Sequence, residues 1–282
     1  VDSGADRLAL SYRDDYALNL DLFGAAGGVF ASALGVPGVE VTAHAEGSGD
    51  AGSGSTNYSV TLDHAAALEG EARWNAAAWS ARADAHLLRL PALRGLARRI
   101  GAELELTAAG VRGGRFGAHA NTPFLTLDLS GAVDENFALQ GPASFTATTQ
   151  RLSDITHEAP FSFGPATLQG ELRSERGITA IRATAQANEI DALGRRTSFS
   201  GPLEATLTQD DFTISASLSA PNDAPALFAR GVLSTEMSYD RRRGRFTLSR
   251  AELNTDAVQV TARGWVNHGD GEFSGDWRAR RL

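Results

Sequence analysis

Polar and apolar residues alternate one by one along most of this chain. Tyr16, Leu18, Leu20 and Leu22 alternate with Ala17, Asn19 and Asp21, and Leu125, Leu127 and Leu129 with Thr126, Asp128 and Ser130. Further on, Phe212, Ile214, Ala216 and Leu218 alternate with Thr213, Ser215 and Ser217. Phe246 and Leu248 do so with Thr247 and Ser249, and Val258, Val260 and Ala262 with Gln259, Thr261 and Arg263. Successive side chains of a strand point to opposite faces, so each run predicts a strand with one apolar and one polar face. Turn-forming clusters separate the runs: Arg13-Asp14-Asp15, Gly113-Gly114, Asp134-Glu135-Asn136, Gln209-Asp210-Asp211, Arg243-Gly244 and His268-Gly269-Asp270-Gly271. Strands that follow one another with no helix between them predict an antiparallel meander.

Two stretches break the alternation. Residues 22–36 are uncharged and rich in Gly and Ala, and they predict a short helix closed by Gly35 and Pro37. The run is shorter than the roughly 20 residues a bilayer crossing needs. Residues 90–100 predict a second, amphipathic helix, with Leu93, Leu96, Ala97 and Ile100 on one side and Arg94, Arg98 and Arg99 on the other. Pro91 suits its first turn and Gly101 its end. A glycine, a short alternating strand and a second glycine nine residues on follow each helix, at Gly38–Gly47 and Gly101–Gly110. That likeness predicts a repeat of about 63 residues (Gly38 to Gly101), with helix-plus-strand units over residues 1–110 and continuing strands over 111–282. The Gly/Ser-rich stretch from Glu46 to Asn57 predicts a mobile loop.

Composition sharpens this reading. Of 282 residues 42% are hydrophobic but only 7% aromatic, and one is Met. Abundant Ala and Gly suit thin sheets better than a thick core. The net charge of −8 argues against general nucleic-acid affinity. With no cysteine, disulfides, thiolate chemistry and Cys-based metal sites are excluded. A start at Val1-Asp2-Ser3-Gly4 predicts a segment of something longer.

Candidate chemistry is sparse. His44, His64, His86, His119, His157 and His268 have no partner histidine at metal-ligand spacing. Asp14-Asp15 and Asp210-Asp211 read as turn residues, Gly110–Gly114 lacks the strand–helix context of a phosphate cradle, and no nucleophile elbow or P-loop occurs. No catalytic, cofactor or metal site is assigned. Arg241-Arg242-Arg243-Gly244-Arg245 forms a basic hairpin tip that reads first as a solvated turn and second as a contact for anionic lipid headgroups.

The segment from Phe30 to Val41, a short helix, Gly35-Val36-Pro37-Gly38 and a strand, resembles a unit of the TamB family of translocation and assembly module subunits. So do Leu90–Leu106 and the strand pairs of Phe199–Leu218 and Gly231–Val266, with Ala262-Arg263-Gly264 as a typical ending. AsmA-like relatives share the pattern, and the resemblance is diffuse over most of the chain. It implies an elongated antiparallel sheet folded into a groove with an apolar interior. It also implies a periplasmic location in a Gram-negative bacterium and a parent anchored in the inner membrane. The implied roles are phospholipid transfer between the membranes and outer-membrane protein assembly. The implied partners are phospholipid acyl chains, a TamA-like barrel protein and unfolded outer-membrane protein clients. The candidate groove lining is Leu18, Leu20, Leu125, Leu127, Leu129, Phe212, Ile214, Leu218, Leu233, Met237, Phe246, Leu248, Val258 and Val260, with Tyr239 beside them.

The residues alone leave open whether these faces line a groove or pack together as a closed core. An unpaired edge strand could also add a client strand. Two other readings stand beside the groove: an outer-membrane or secreted β-structural protein, and a carbohydrate-active enzyme on a β scaffold. A membrane barrel predicts aromatic girdles, and an enzyme predicts acids and aromatics converging in one cleft.

Overall fold

The structure is a computed structural model and describes residues 6–12, 17–33, 36, 38–50, 52–90, 93–150, 164–192, 195–267 and 270–279. Among the described residues the chain is mainly β, with 69% of them in strands, antiparallel pairing, no closure into a barrel and two short α-helices. It divides into two compact units, Val1–Ala138 and Leu139–Leu282. The change at residue 111 expected from sequence falls in a hairpin inside the first.

The first unit runs β1 (Asp6–Tyr12), β2 (Ala17–Gly24), α1 (Val29–Ala33), β3 (Val41–Gly49), β4 (Gly54–Leu62), β5 (Ala65–Trp74) and β6 (Ala78–His86). A 3₁₀ turn (Leu87–Arg89), α2 (Arg94–Ile100), β7 (Glu103–Val111), β8 (Arg115–Asn121) and β9 (Thr126–Ala132) complete it. Each strand pairs with the next, antiparallel, from β1 to β9. Register carries the alternation across strands. One row runs Leu10–Leu20–Ala45–Tyr58–Gly70–Ala83–Leu106–Ala120–Leu127. The adjacent row on the opposite face runs Asn19–Glu46–Asn57–Glu71–Arg82–Thr107–His119–Asp128.

The helices are shorter than expected. Residues 22–24 continue β2, because Leu22 pairs with Leu8 on one side and Ala43 on the other. The helix starts only at Val29, where the buried Asp6 carboxylate accepts the N–H groups of Val29 (2.5 Å), Phe30 (3.2 Å) and Ala25 (3.2 Å). Those donors have no partner within the helix, so a carboxylate 23 residues away sets its start. The second helix begins at Arg94 and ends as expected, with the Gly101 N–H on the Ala97 carbonyl and φ of 107° at Gly101. Ala97 and Ile100 are buried while Arg94, Arg98 and Arg99 are exposed, as the amphipathic pattern requires. Pro91 lies outside the described residues, as do Gly35 and Pro37.

Both helices close the same kind of gap. Ala31 and Val36 pack with Val41, Leu62 and Ala67 in one buried cluster, and Ala97 and Ile100 with Ala85 and Leu87 in another. Ala67 reaches the first cluster through a bulge, since the register steps from Val60–Leu68 to Thr61–Ala66.

Glu46–Asn57 is a hairpin and not a loop: β3 continues to Gly49, β4 begins at Gly54, and only residues 50–53 connect them. Gly and Ser suit a strand here because Trp74 lies across Gly54, where a Cβ would come within 2.5 Å of the indole.

The second unit is a meander of β10 (Ala143–Thr149), β11 (Ala166–Glu175), β12 (Ile178–Ala192), β13 (Arg195–Leu207) and β14 (Asp211–Ser219). It continues with β15 (Val232–Asp240), β16 (Arg245–Asn254), β17 (Val258–Asn267) and β18 (Asp270–Ala279). The apolar row Ala143–Leu172–Ile181–Ala205–Ile214–Met237–Leu248–Gly264–Phe273 crosses all nine strands. A neighbouring row on the other face reads Arg182–Glu204–Ser215–Glu236–Arg250. The turns at residues 112–114, 134–136, 209–210 and 243–244 fall where expected. Asp270 and Gly271 open β18 instead of forming a turn, paired with Asn267 and Val266. Residues 13–15, 268 and 269 lie outside the described residues. Among the described residues, neither β1 with β9 nor β10 with β18 is paired.

Candidate binding face

An apolar face extends through every strand of each unit. In the second unit, Phe212 faces Tyr239 and Tyr239 faces Phe246, while Leu218 faces Leu233, Leu233 faces Leu253, and Leu253 faces Val260. Ile214, Met237 and Leu248 form the row between them, and Val258 lies two residues from Val260 on the same strand face. In the first unit Leu20, Leu127 and Leu129 belong to this face. Leu18 shares it by register, opposite Gly47; its side chain lies outside the described residues. Leu125 precedes β9 and packs on the α2 cluster. The candidate lining residues therefore fall on one face of each unit.

Their exposure is the informative quantity. Every described side chain in that set is half-buried except Val260, which is 37% exposed. Tyr239 is 39% exposed. A face packed inside a closed core would be mostly buried. Burial is instead local, at the helices of the first unit and, in the second, around Ala143, Phe145, Ala205 and the edge-to-face pair of Phe199 and Phe228 at 6.1 Å.

Small residues keep the face shallow. Ala83, Ala81, Ala108, Ala118 and Ala120 form its middle in the first unit. Where an aromatic lies on the face, a glycine often sits opposite: Tyr58 on Gly70, and Phe273 on Gly264, where a Cβ would come within 2.4 Å and 2.3 Å of the ring or its hydroxyl. The ring occupies the space that a neighbouring side chain would otherwise fill.

Sequence reasoning missed one apolar cavity. Ala72, Trp74, Ala78, Trp79, Ala81 and Phe137 line a space of about 390 Å³ in the first unit. Trp74 and Trp79 pair across the β5–β6 hairpin, and Phe137 meets Trp79 edge-to-face at 5.6 Å. Phe137 holds φ of 62°, a strained value for an aromatic residue, through turn bonds to Asp134. The Trp79 indole N–H is buried without a partner. The signal was present in Trp74-Asn75-Ala76-Ala77-Ala78-Trp79, two tryptophans placed symmetrically about a turn.

The polar face carries paired charges. His44 Nδ1 lies 2.6 Å from Asp21 and its Nε2 3.9 Å from Glu46. These carboxylates raise the His44 pKa above its ordinary value, Asp21 foremost through its hydrogen bond. His86 pairs with Glu103 at 2.5 Å, His119 with Asp128 at 2.8 Å and His64 with Glu40 at 3.4 Å. His157 and His268 lie outside the described residues, with Asp14 and Asp15. At the tip of the β15–β16 hairpin, Arg242 contacts Asp210 at 2.5 Å and Arg243 contacts Asp240 at 3.6 Å. Asp210 raises the Arg242 pKa, chiefly through that hydrogen bond. Arg245 instead stacks over Trp265, 4.6 Å from its centre. The basic tip is thus partly neutralised by its own carboxylates.

A second cavity, about 600 Å³, takes in Glu69, Asp84, Glu103 and Glu105. These carboxylates sit on the polar face, whereas Trp74 and Trp79 sit on the apolar one. These four acids and the two tryptophans therefore lie on opposite faces of the sheet. Among the described residues no group of three or more His, Asp or Glu could hold a metal ion, and no helix is long and apolar enough to cross a membrane. Comparison with protein-family models, curated proteins and solved structures finds no match.

Proposed function

We propose that this chain is a segment of a TamB-like periplasmic envelope protein whose apolar face carries phospholipid acyl chains between the inner and outer membranes. The observation that supports this most directly is the apolar face itself. It extends in register across nine strands of each unit, yet leaves its Leu, Ile, Phe and Met side chains half-exposed. A face of that kind gains about 0.8 kcal/mol for each methylene it takes out of water. A partly covered acyl chain therefore gains several kcal/mol. Ala and Gly in the middle rows leave room for a guest and provide no specific polar contact, which suits a ligand that slides. On this reading the parent is anchored in the inner membrane, a TamA-like barrel is the outer-membrane partner, and unfolded outer-membrane proteins are a second class of client.

The test is site-specific photo-crosslinking of the chain expressed in a Gram-negative periplasm, read by mass spectrometry. Probes at Leu127, Ile214 and Leu248 should yield phospholipid adducts, and probes at Asp128, Ser215 and Thr247, on the other face, should not. Equal labelling of both faces, or none on either, would reject the reading.

A further inference from the structure

The two tryptophans of the β5–β6 hairpin differ in one respect. Trp74 lies across Gly54, and its indole N–H donates to the Asp50 carbonyl at 2.7 Å. The Trp79 indole N–H is buried without a partner. A buried donor left unpaired is costly, because it has given up water for nothing. Phe137 packs edge-to-face on Trp79 at 5.6 Å, yet its own ring is 56% exposed and its φ is 62°. The chain thus holds an aromatic residue in an unfavourable conformation against an unsatisfied donor. Both costs fall if Phe137 swings aside and a hydrogen-bond acceptor enters.

The cavity at these residues defines what can enter. Its volume of about 390 Å³ falls within the roughly 300–1,000 Å³ of small-molecule sites. Ala72 and Ala81, directly opposite in the β5–β6 ladder, join the three aromatic rings in lining it. The charged side chains at the cavity are Arg73 and Arg112, and among the described residues no Asp or Glu lines it. In a chain of net charge −8 that is a local reversal, and it contrasts with the carboxylate-lined second cavity. Arg73 is also bridged to Glu71 at 3.0 Å. The two guanidiniums count here for their positive charge, whatever else they contact. Apolar walls, positive charge and one unpaired donor select an apolar body with an oxygen acceptor and negative charge at one end. A plain hydrocarbon would leave the N–H unpaired.

We propose that this cavity receives the carboxyl-derived end of an acyl chain, with the Trp79 N–H as donor to its oxygen and Phe137 as the cover that moves aside. The choice of an acyl chain rests on the function proposed above, whereas the position of the site does not. A free fatty acid and a phospholipid share this chemistry.

Tryptophan fluorescence tests the proposal and separates the two sources. The Trp265→Phe/Trp277→Phe chain retains Trp74 and Trp79 as its only tryptophans. It is titrated with undecanoate brominated at its last carbon, and with a lysophosphatidylglycerol esterified with the same acid, each as monomers. Bromine quenches an indole that it contacts. Saturable quenching is expected, by the acid if the source is a fatty acid and by the lysolipid if it is a phospholipid. Trp79→Phe keeps an aromatic wall and removes the donor. Read through Trp74, it should weaken binding by on the order of tenfold. Phe137→Gly accepts the positive φ without strain and should bind faster in stopped flow than its parent. It keeps the test decisive if circular dichroism shows that Trp79→Phe does not fold. No saturable quenching by either probe, equal affinity in a folded Trp79→Phe, or unchanged association in Phe137→Gly overturns the proposal. Acyl adducts at Leu127, Ile214 and Leu248 in a chain that shows no quenching would reject this site and leave the proposed function standing.

Discussion

The two units solve the same packing problem differently. Each is a nine-stranded antiparallel meander with one apolar face. In the first, two short helices fold against the sheet and bury Val41, Leu62, Ala85 and Leu87. In the second the described residues contain no α-helix, and a turn over residues 221–230 brings Phe228 onto Phe199 instead. The first unit thus concentrates its buried apolar contacts in helix-capped clusters, while the second distributes half-buried contacts along nine strands. Local burial depends on what is folded over a strand face, and the alternation that creates the face is indifferent to it.

The strongest way to test that contrast is to remove one large side chain from each kind of site. Leu87→Ala, at a fully buried position of the first unit, should cost about 3 kcal/mol in denaturant unfolding. Ile214→Ala, half-buried in the second, should cost about 1–2 kcal/mol, because water already reaches part of the side chain. Equal losses would remove the distinction. Crowding the sheet should come next. A Cβ at Gly170 would lie 2.1 Å from the Arg182 carbonyl oxygen, so Gly170→Ala should destabilise the second unit by about 1–3 kcal/mol. Asp6→Ala should loosen α1 with a loss of about 1–2 kcal/mol, and amide exchange at Val29 and Phe30 should quicken while β15–β17 stay unchanged.

The smallest effect is electrostatic. The His44 pKa in the folded chain is raised above its ordinary value by Asp21 and Glu46. Any stability it adds is fully present below the unfolded histidine pKa, near 6.5. That stability is lost as pH rises through the higher folded value. An NMR titration should find His44 above about 6.5 in the wild type and lower in Asp21→Asn. An unchanged midpoint would show that Asp21 does not set it.

Much of this fold could be read from the order of residues. Period-two alternation located the strands around Leu127, Ile214, Leu248 and Val260, because the periodicity of a strand face is local. It did not locate the start of α1, because residues 22–36 are equally apolar at period two and at 3.6, and the deciding carboxylate belongs to Asp6. Nor did composition reveal that Gly54 lies in a strand: glycine and serine signal loops unless a cross-strand ring covers them, and Trp74 is 20 residues from Gly54. The bulge at Ala67 and the cavity beneath Phe137 depend on register and on a turn conformation, neither of which a single strand encodes. The face was therefore legible, but its limits were not.

The pairing of each strand with the next has a kinetic consequence. Within each unit every ladder joins neighbours in the sequence, and most of these pairs, such as β3–β4, β5–β6 and β11–β12, are closed by short turns. Folding speed rises as the sequence separation of contacts falls. The two-residue connection Arg176-Gly177, with φ of 51° and 78°, has the positive φ at both positions that matches the twist of a hairpin. Assembly can start at such a turn and proceed outward one strand at a time, without waiting for distant parts of the chain. Φ-values close to one for the β11–β12 hairpin, falling toward β18, would identify that turn as the nucleus.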